Sequence, residues 1–203
     1  MGPTDDQTTI VCLDEVDTLA SLGRGNAAMR LFLLRQDLQS LKFALDDFDA
    51  ARARLGKRDD EAFNQLFHHA KVFVCAMRRF ARLLHAAHRA RNEYPVNVAQ
   101  ALDLQWKSNR AFFDGYTRPR NAIEHIDGEI TGANHRFLNI TNDYLEVVTG
   151  VGASVSGNAW NAAYGVWRAI ILQVALAVDA RKQGGAIASL LRVLARRIET
   201  RPT

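Results

Sequence analysis

Residues 26–55, NAAMRLFLLRQDLQSLKFALDDFDAARARL, place Leu31, Leu34, Leu38, Leu41, Leu45, Phe48 and Leu55 at alternating three- and four-residue steps. Such steps follow the 3.6-residue turn of an α-helix and line one side of it, so the stretch predicts a long helix with a narrow apolar seam, as in a helix hairpin or bundle. Gly56 stops it, and Asp59 or Asp60 can cap the next helix by accepting from the free N–H groups of its first turn. From about 60 to 92 a wider face of Phe63, Leu66, Phe67, Ala70, Phe73, Val74, Met77, Phe80, Ala81 and Leu84 predicts a second long helix, ending before Tyr94-Pro95. A third, from roughly 97 to 114, carries Leu102, Trp106 and Phe113 on one side and breaks at Gly115.

Beyond these helices the pattern shortens. Thr117-Arg118-Pro119-Arg120 opens a fourth, short helix over about 119–130, proline being suited to a first turn whose N–H groups lack partners. Residues 136–148 have β-branched and aromatic residues on both sides of the turn formers Thr141-Asn142-Asp143, which predicts a small β-hairpin. The glycine- and serine-rich stretch 149–157 reads as a loop into a helix that reaches about 182 and buries Trp160, Tyr164, Trp167, Ile171, Val174 and Val178. Gly184-Gly185 is expected to separate it from a final amphipathic helix bearing Ile187, Leu190, Leu191, Leu194 and Ile198. The fold class is therefore mainly α: an antiparallel bundle with long first and second helices, a hairpin near 136–148 and C-terminal helices.

A chain of 203 residues is long enough for one sizeable core, and 48% hydrophobic against 24% charged residues excludes wholesale disorder. Residues 1–22 hold Asp5, Asp6, Asp14, Glu15 and Asp17 without a Lys or Arg, so a mobile or loosely docked acidic arm is expected before a single domain at 23–203. Cys12 and Cys75, far apart, form neither a disulfide framework nor a CxxC motif, which fits a reducing compartment. The acidic N-terminus lacks the basic-then-apolar pattern of an export signal, and the apolar run Ile170–Val178 is about half the ~18 residues a bilayer needs. A cytoplasmic protein that does not enter membranes is expected.

Function has to come from a site. Arg120-Asn121-Ala122-Ile123-Glu124-His125 sets an arginine, a small polar residue and, four residues on from that, a histidine at the start of the short helix. Ile123, Ile126 and Ile130 fall on one arc of that helix and are expected to face the core, while Asn121 and His125 lie a turn apart on the other side. Arg120 lies ~140° from His125, at ~100° per residue, so the two meet one phosphate more readily across a pair of subunits than within one.

This pattern resembles the Arg-polar-x3-His motif of HEPN (higher eukaryotes and prokaryotes nucleotide-binding) domains. The resemblance implies an α-helical homodimer with the motif residues of two protomers meeting at the interface. Many such domains are metal-independent ribonucleases, often toxins or antiphage effectors held by an antitoxin protein; others bind nucleotide or RNA without turnover. On that basis Arg120, His125 and Asn121 are the candidate catalytic residues, with Glu124 and Glu129 as orienting groups and no cofactor.

The residue types suit the chemistry. Cleavage of RNA by its own 2′-hydroxyl needs a base, an acid and positive charge on the crowded phosphate. Histidine, with an ordinary pKa of about 6.5, can serve as base or acid, and arginine grips phosphate oxygens with parallel donors. Arg118 beside the motif, and Arg78, Arg79, Arg82 and Arg89 among a run of Arg and His that no acid interrupts before Glu93, are the candidate RNA contacts. Cations near a helix C-terminus also complement its dipole and keep a solvated face soluble. Arg192, Arg196, Arg197 and Arg201 form a second basic run. Neither His68-His69 nor His85 and His88 come with the Glu-x-x-His pairs of di-metal bundles, so no metal is expected.

Overall fold

The computed structural model describes residues 19, 22, 25–55, 60–129, 139–141, 143–148 and 151–199; at 60, 125–129, 139, 141, 148 and 187–199 it describes the backbone alone. Helix α1 spans Asn26–Leu55 and α2 spans Asp60–Arg89, followed by one 3-10 turn at Arg91–Glu93. Helix α3 is Val96–Asp114 and α4 is Thr117–Glu129. Strands β1 (Asn139–Thr141), β2 (Tyr144–Val148) and β3 (Val151–Ser154) lead into α5, Gly157–Glu199.

Four helices make the core. Arg30 meets Glu93 and Arg79 meets Asp37, so α1 and α2 run antiparallel; Arg78 meets Asp114 and His88 meets Asp103, so α2 and α3 do too. Asn97 Nδ2 donates to the Gln173 carbonyl at 2.7 Å and Tyr116 Oη to the Ser154 carbonyl at 2.8 Å, which sets α5 antiparallel to α3. Helix α5 closes the ring on α1, leaving α2 and α5 diagonal. The predicted seam supplies the packing: Leu31, Leu34, Leu41 and Phe48 of α1, Phe73, Met77 and Phe80 of α2, Leu102 and Phe113 of α3, and Trp167 and Ile170 of α5 are sealed from solvent. Burial of such side chains stabilises the fold by about 1.5–3 kcal/mol each. Leu19 also joins this core, so the acidic arm's end is docked; the rest of the arm lies outside the described residues, apart from Leu22.

Four local expectations need correction. The Gly184-Gly185 pair does not interrupt α5, which continues as one helix to Glu199. Part of the expected loop at 149–157 is strand β3, which pairs antiparallel with β2 and completes a β1-β2-β3 meander. Phe63, placed in the α2 core face by its spacing, is 45% exposed. Helix α3 ends opposite Arg78 and so does not extend along the first turns of α2, which pack on α1. Trp160, Tyr164 and Ile171 are half-buried, flanking the core.

The meander closes one end of the bundle. Thr141 pairs with Tyr144 across a two-residue turn, Arg52 ties the end of α1 to Asp143 at 2.6 Å, and the Val155 N–H donates to the Asp143 carbonyl at 2.8 Å. Leu145 and Val147 point inward, and α4 lies between the sheet and the outer side of α2. Gly152 is required where it stands, because a Cβ there would press on the Tyr144 ring and sit 2.5 Å from the Leu145 carbonyl oxygen.

Gly157–Ala186 within α5 is long and apolar enough to cross a membrane by length and composition, although its longest unbroken apolar run is short. In this fold Ala163, Trp167, Ile170 and Val174 of that segment pack in the bundle core.

Candidate functional site

Helix α4 starts one residue after Tyr116, whose ring is buried and whose phenol is held by Ser154; burial pushes that phenol far above its ordinary pKa, so it stays a proton donor. Pro119 is buried in the first turn and Ile123 anchors the inner face. This fixes which way α4 turns. Asn121 and Glu124 are exposed, and Arg120 is half-buried at the boundary with α2. Ile126 is described in backbone only, and Ile130 lies outside the described residues.

The Arg120 guanidinium is engaged within its own helix. Its Nη1 pairs with Glu124 Oε2 one turn on and donates to Asn121 Oδ1 at 3.2 Å. Arg120, Asn121 and Glu124 are thus one connected group. His125 and Glu129 sit on α4 as expected, but their side chains lie outside the described residues.

Across from α4 stands a residue that sequence reading did not select. Cys75 of α2 lies half-buried within the electrostatic reach of Arg120, Glu124, Lys71 and Arg79. Burial raises its thiol pKa more than Arg120 lowers it, so Cys75 is a protonated, weakly polar neighbour and not a thiolate nucleophile. Its signal in the sequence was position: at ~100° per residue Lys71, Cys75, Arg78, Arg79, Arg82 and Arg89 all fall within a ~100° arc of α2. That arc faces outward, opposite the buried Phe73, Met77 and Phe80.

The basic arc is partly neutralised. Arg79 Nε donates to Asp37 Oδ1 at 3.0 Å, and Arg78 Nη1 lies 3.9 Å from Asp114 Oδ1. Burial holds the Asp37 carboxyl above its usual range, with Arg79 pulling it back down. Arg82, Arg89 and Arg118 are exposed and make no ion pair among the described residues. Arg79 and Arg82 also line an open groove of about 540 Å³ between α1 and α2, with Leu33, Gln36, Asp37, Leu83 and Ala86. The structure therefore brings Arg78, Arg79, Arg82 and Arg120 to one side of the bundle. Arg89 continues the arc at the far end of α2.

No family model, no curated protein and no solved structure matches this chain. The likeness to HEPN domains stands on the six-residue motif and its setting.

The histidines of α2 have separate roles. His85 stacks on Trp106 with ring centres 4.5 Å apart, and His88 lies beside both, its Nδ1 3.5 Å from Asp103 Oδ1. Burial lowers the His88 pKa despite the nearby Asp103, which leaves the ring neutral near pH 7. Among the described residues no group of three or more His, Cys, Asp or Glu is gathered as a metal site.

Proposed function

We propose that the protein is a HEPN-like endoribonuclease that works as a homodimer, with RNA laid along the outer face of α2 and the scissile phosphate at the start of α4. One observation carries the reading: Arg120 and Asn121 stand on the first turns of α4 against the side of α2 that bears Arg78, Arg79 and Arg82. In this scheme Arg120 leaves Glu124 to hold the phosphate oxygens. His125 moves the proton of the attacking 2′-hydroxyl or of the departing 5′-oxygen. Asn121 fixes the arginine, which already donates to its amide oxygen. This chemistry needs no metal, and a role in stress or antiphage defence under an antitoxin follows from the resemblance.

A second reading is favoured by the pairing of Arg120 with Glu124: a binding module that grips RNA or a nucleotide without cleaving it. Incubation with single-stranded RNA in EDTA separates the two. Cleavage by the wild type, lost in His125→Ala and Arg120→Ala and absent on DNA, supports the nuclease. Binding without products supports the module. Cleavage that His125→Ala leaves undiminished overturns the assignment of the motif.

A further inference from the structure

Helix α5 outruns the bundle that holds it. Among its residues whose side chains are described, the last one buried in the core is Val178, and every residue from Asp179 to Ala186 is exposed. The helix nevertheless continues to Glu199, so 21 of its residues, 179 to 199, extend ~30 Å past that point at 1.5 Å per residue. An isolated helical extension of this length, interrupted by two glycines, is marginal in water without something to pack on.

The bundle-held half already shows what it would pack with. Leu172 and Leu176 lie on the outer side of α5, at 57% and 52% exposure. The sequence then keeps apolar residues at helical steps, with Ile187, Leu190, Leu194 and Ile198 following on the same side of the helix. Gly184 borders that stripe. Neither it nor Gly185 is demanded by the fold, since an added Cβ would meet nothing within 4 Å at either position. Small residues in a helix that has no internal need for them are suited to the close approach of another helix.

We propose that α5 is a self-association surface, pairing antiparallel with the α5 of a second copy about a two-fold axis near position 185. The stripe is complementary to itself in this register. Leu172 falls opposite Ile198 of the second copy, Leu176 opposite its Leu194, and Gln183 opposite its Ile187, which leaves one polar residue near the centre to fix the alignment. Contact over residues 172–198 runs ~40 Å and covers on the order of 800 Å² per copy, the size of a stable interface.

This surface is independent of the nuclease reading. Helix α5 is diagonal to α2 across the bundle, and α4 lies on α2, so pairing through α5 does not bring two motifs together. A chain using both surfaces forms a tetramer, and one using α5 alone forms a dimer.

Light scattering on the full chain tests the proposal. The wild type is expected at two or four copies, and Leu172→Glu/Leu176→Glu at half the wild-type mass with unchanged far-ultraviolet circular dichroism. Arg120→Ala is expected to leave α5 pairing intact. Pulsed electron paramagnetic resonance, with Cys12 and Cys75 replaced by serine, fixes the direction. Labels at Gln183→Cys should lie ~10–20 Å apart and labels at Asn161→Cys ~70 Å apart, from the 1.5 Å rise. A monomeric wild type, an unchanged mass in the double variant, or short distances at both label sites overturns it. So does wild-type binding to phosphatidylglycerol vesicles without self-association, which would make the stripe a lipid surface.

Discussion

Arg79→Ala tests how the outer face of α2 is held. The Asp37 side chain is only 12% exposed, whereas Arg79 is 58% exposed and reaches it along an open groove. Removing one partner of a fully buried ion pair costs about 3–5 kcal/mol because the other charge is stranded. Here water can follow the groove to Asp37 and the arginine is mostly solvated, which reduces the expected cost to about 1–2 kcal/mol. At roughly 2–4 °C per kcal/mol for a chain of this size, the melting temperature at pH 7 should fall by ~2–8 °C. Asp37→Asn in the same background removes the stranded charge and should recover at least half of that loss. The direction with pH follows from the raised Asp37 pKa: the folded state holds that proton more tightly than the unfolded chain does. The penalty is therefore present at neutral pH and fades as pH falls toward the ordinary carboxylate value of 3.8. Denaturant melts of the three proteins at pH 7 and pH 4.5 provide the measurement. Identical stability of wild type and Arg79→Ala, or no recovery on adding Asp37→Asn, refutes the reasoning.

Three other outcomes are expected. Gly152→Ala should destabilise the meander by about 1–3 kcal/mol, because the added methyl collides with the Leu145 backbone and the Tyr144 ring; calorimetry reads it. The lowered His88 pKa means the unfolded chain binds that proton more readily, so stability should be full above the ordinary value of 6.5 and decline as pH drops below it. His88→Asn should flatten that slope in thermal melts run from pH 8 to pH 5. Glu124→Gln should release Arg120 from its pair, tightening RNA binding several-fold at low salt and steepening the salt dependence; fluorescence anisotropy decides it.

The long helices were legible because their order is written locally. Leucines three and four apart specify a face wherever the chain is, and Asn26–Leu55 matches the expected span. What sequence could not supply was where neighbours stop. Phe63 has the right spacing for burial and stays exposed among the described residues, where α3 is shorter than α2. Glycine misled for the opposite reason: each costs a helix about 1 kcal/mol relative to alanine, too little to break one flanked by strong helix formers such as Lys182, Gln183 and Ala186. Strand β3 is short and glycine-bearing, and it exists because β2 offers it an edge. In the candidate site, Arg120 and Glu124 stand one turn apart in the sequence, which is the spacing of a helix ion pair. The approach of Cys75 to them was not legible, since it depends on α4 folding back onto a helix far earlier in the chain.

The ring of four helices closes between its first and last members, α1 and α5. The α1–α2 hairpin can zip as soon as both have been synthesised, but the side of α1 that meets α5 stays wetted until α5, which begins at Gly157, is translated. Assembly is thus fast at its start and gated at its end by a long loop closure. For that interval a nascent chain presents a sticky half-bundle.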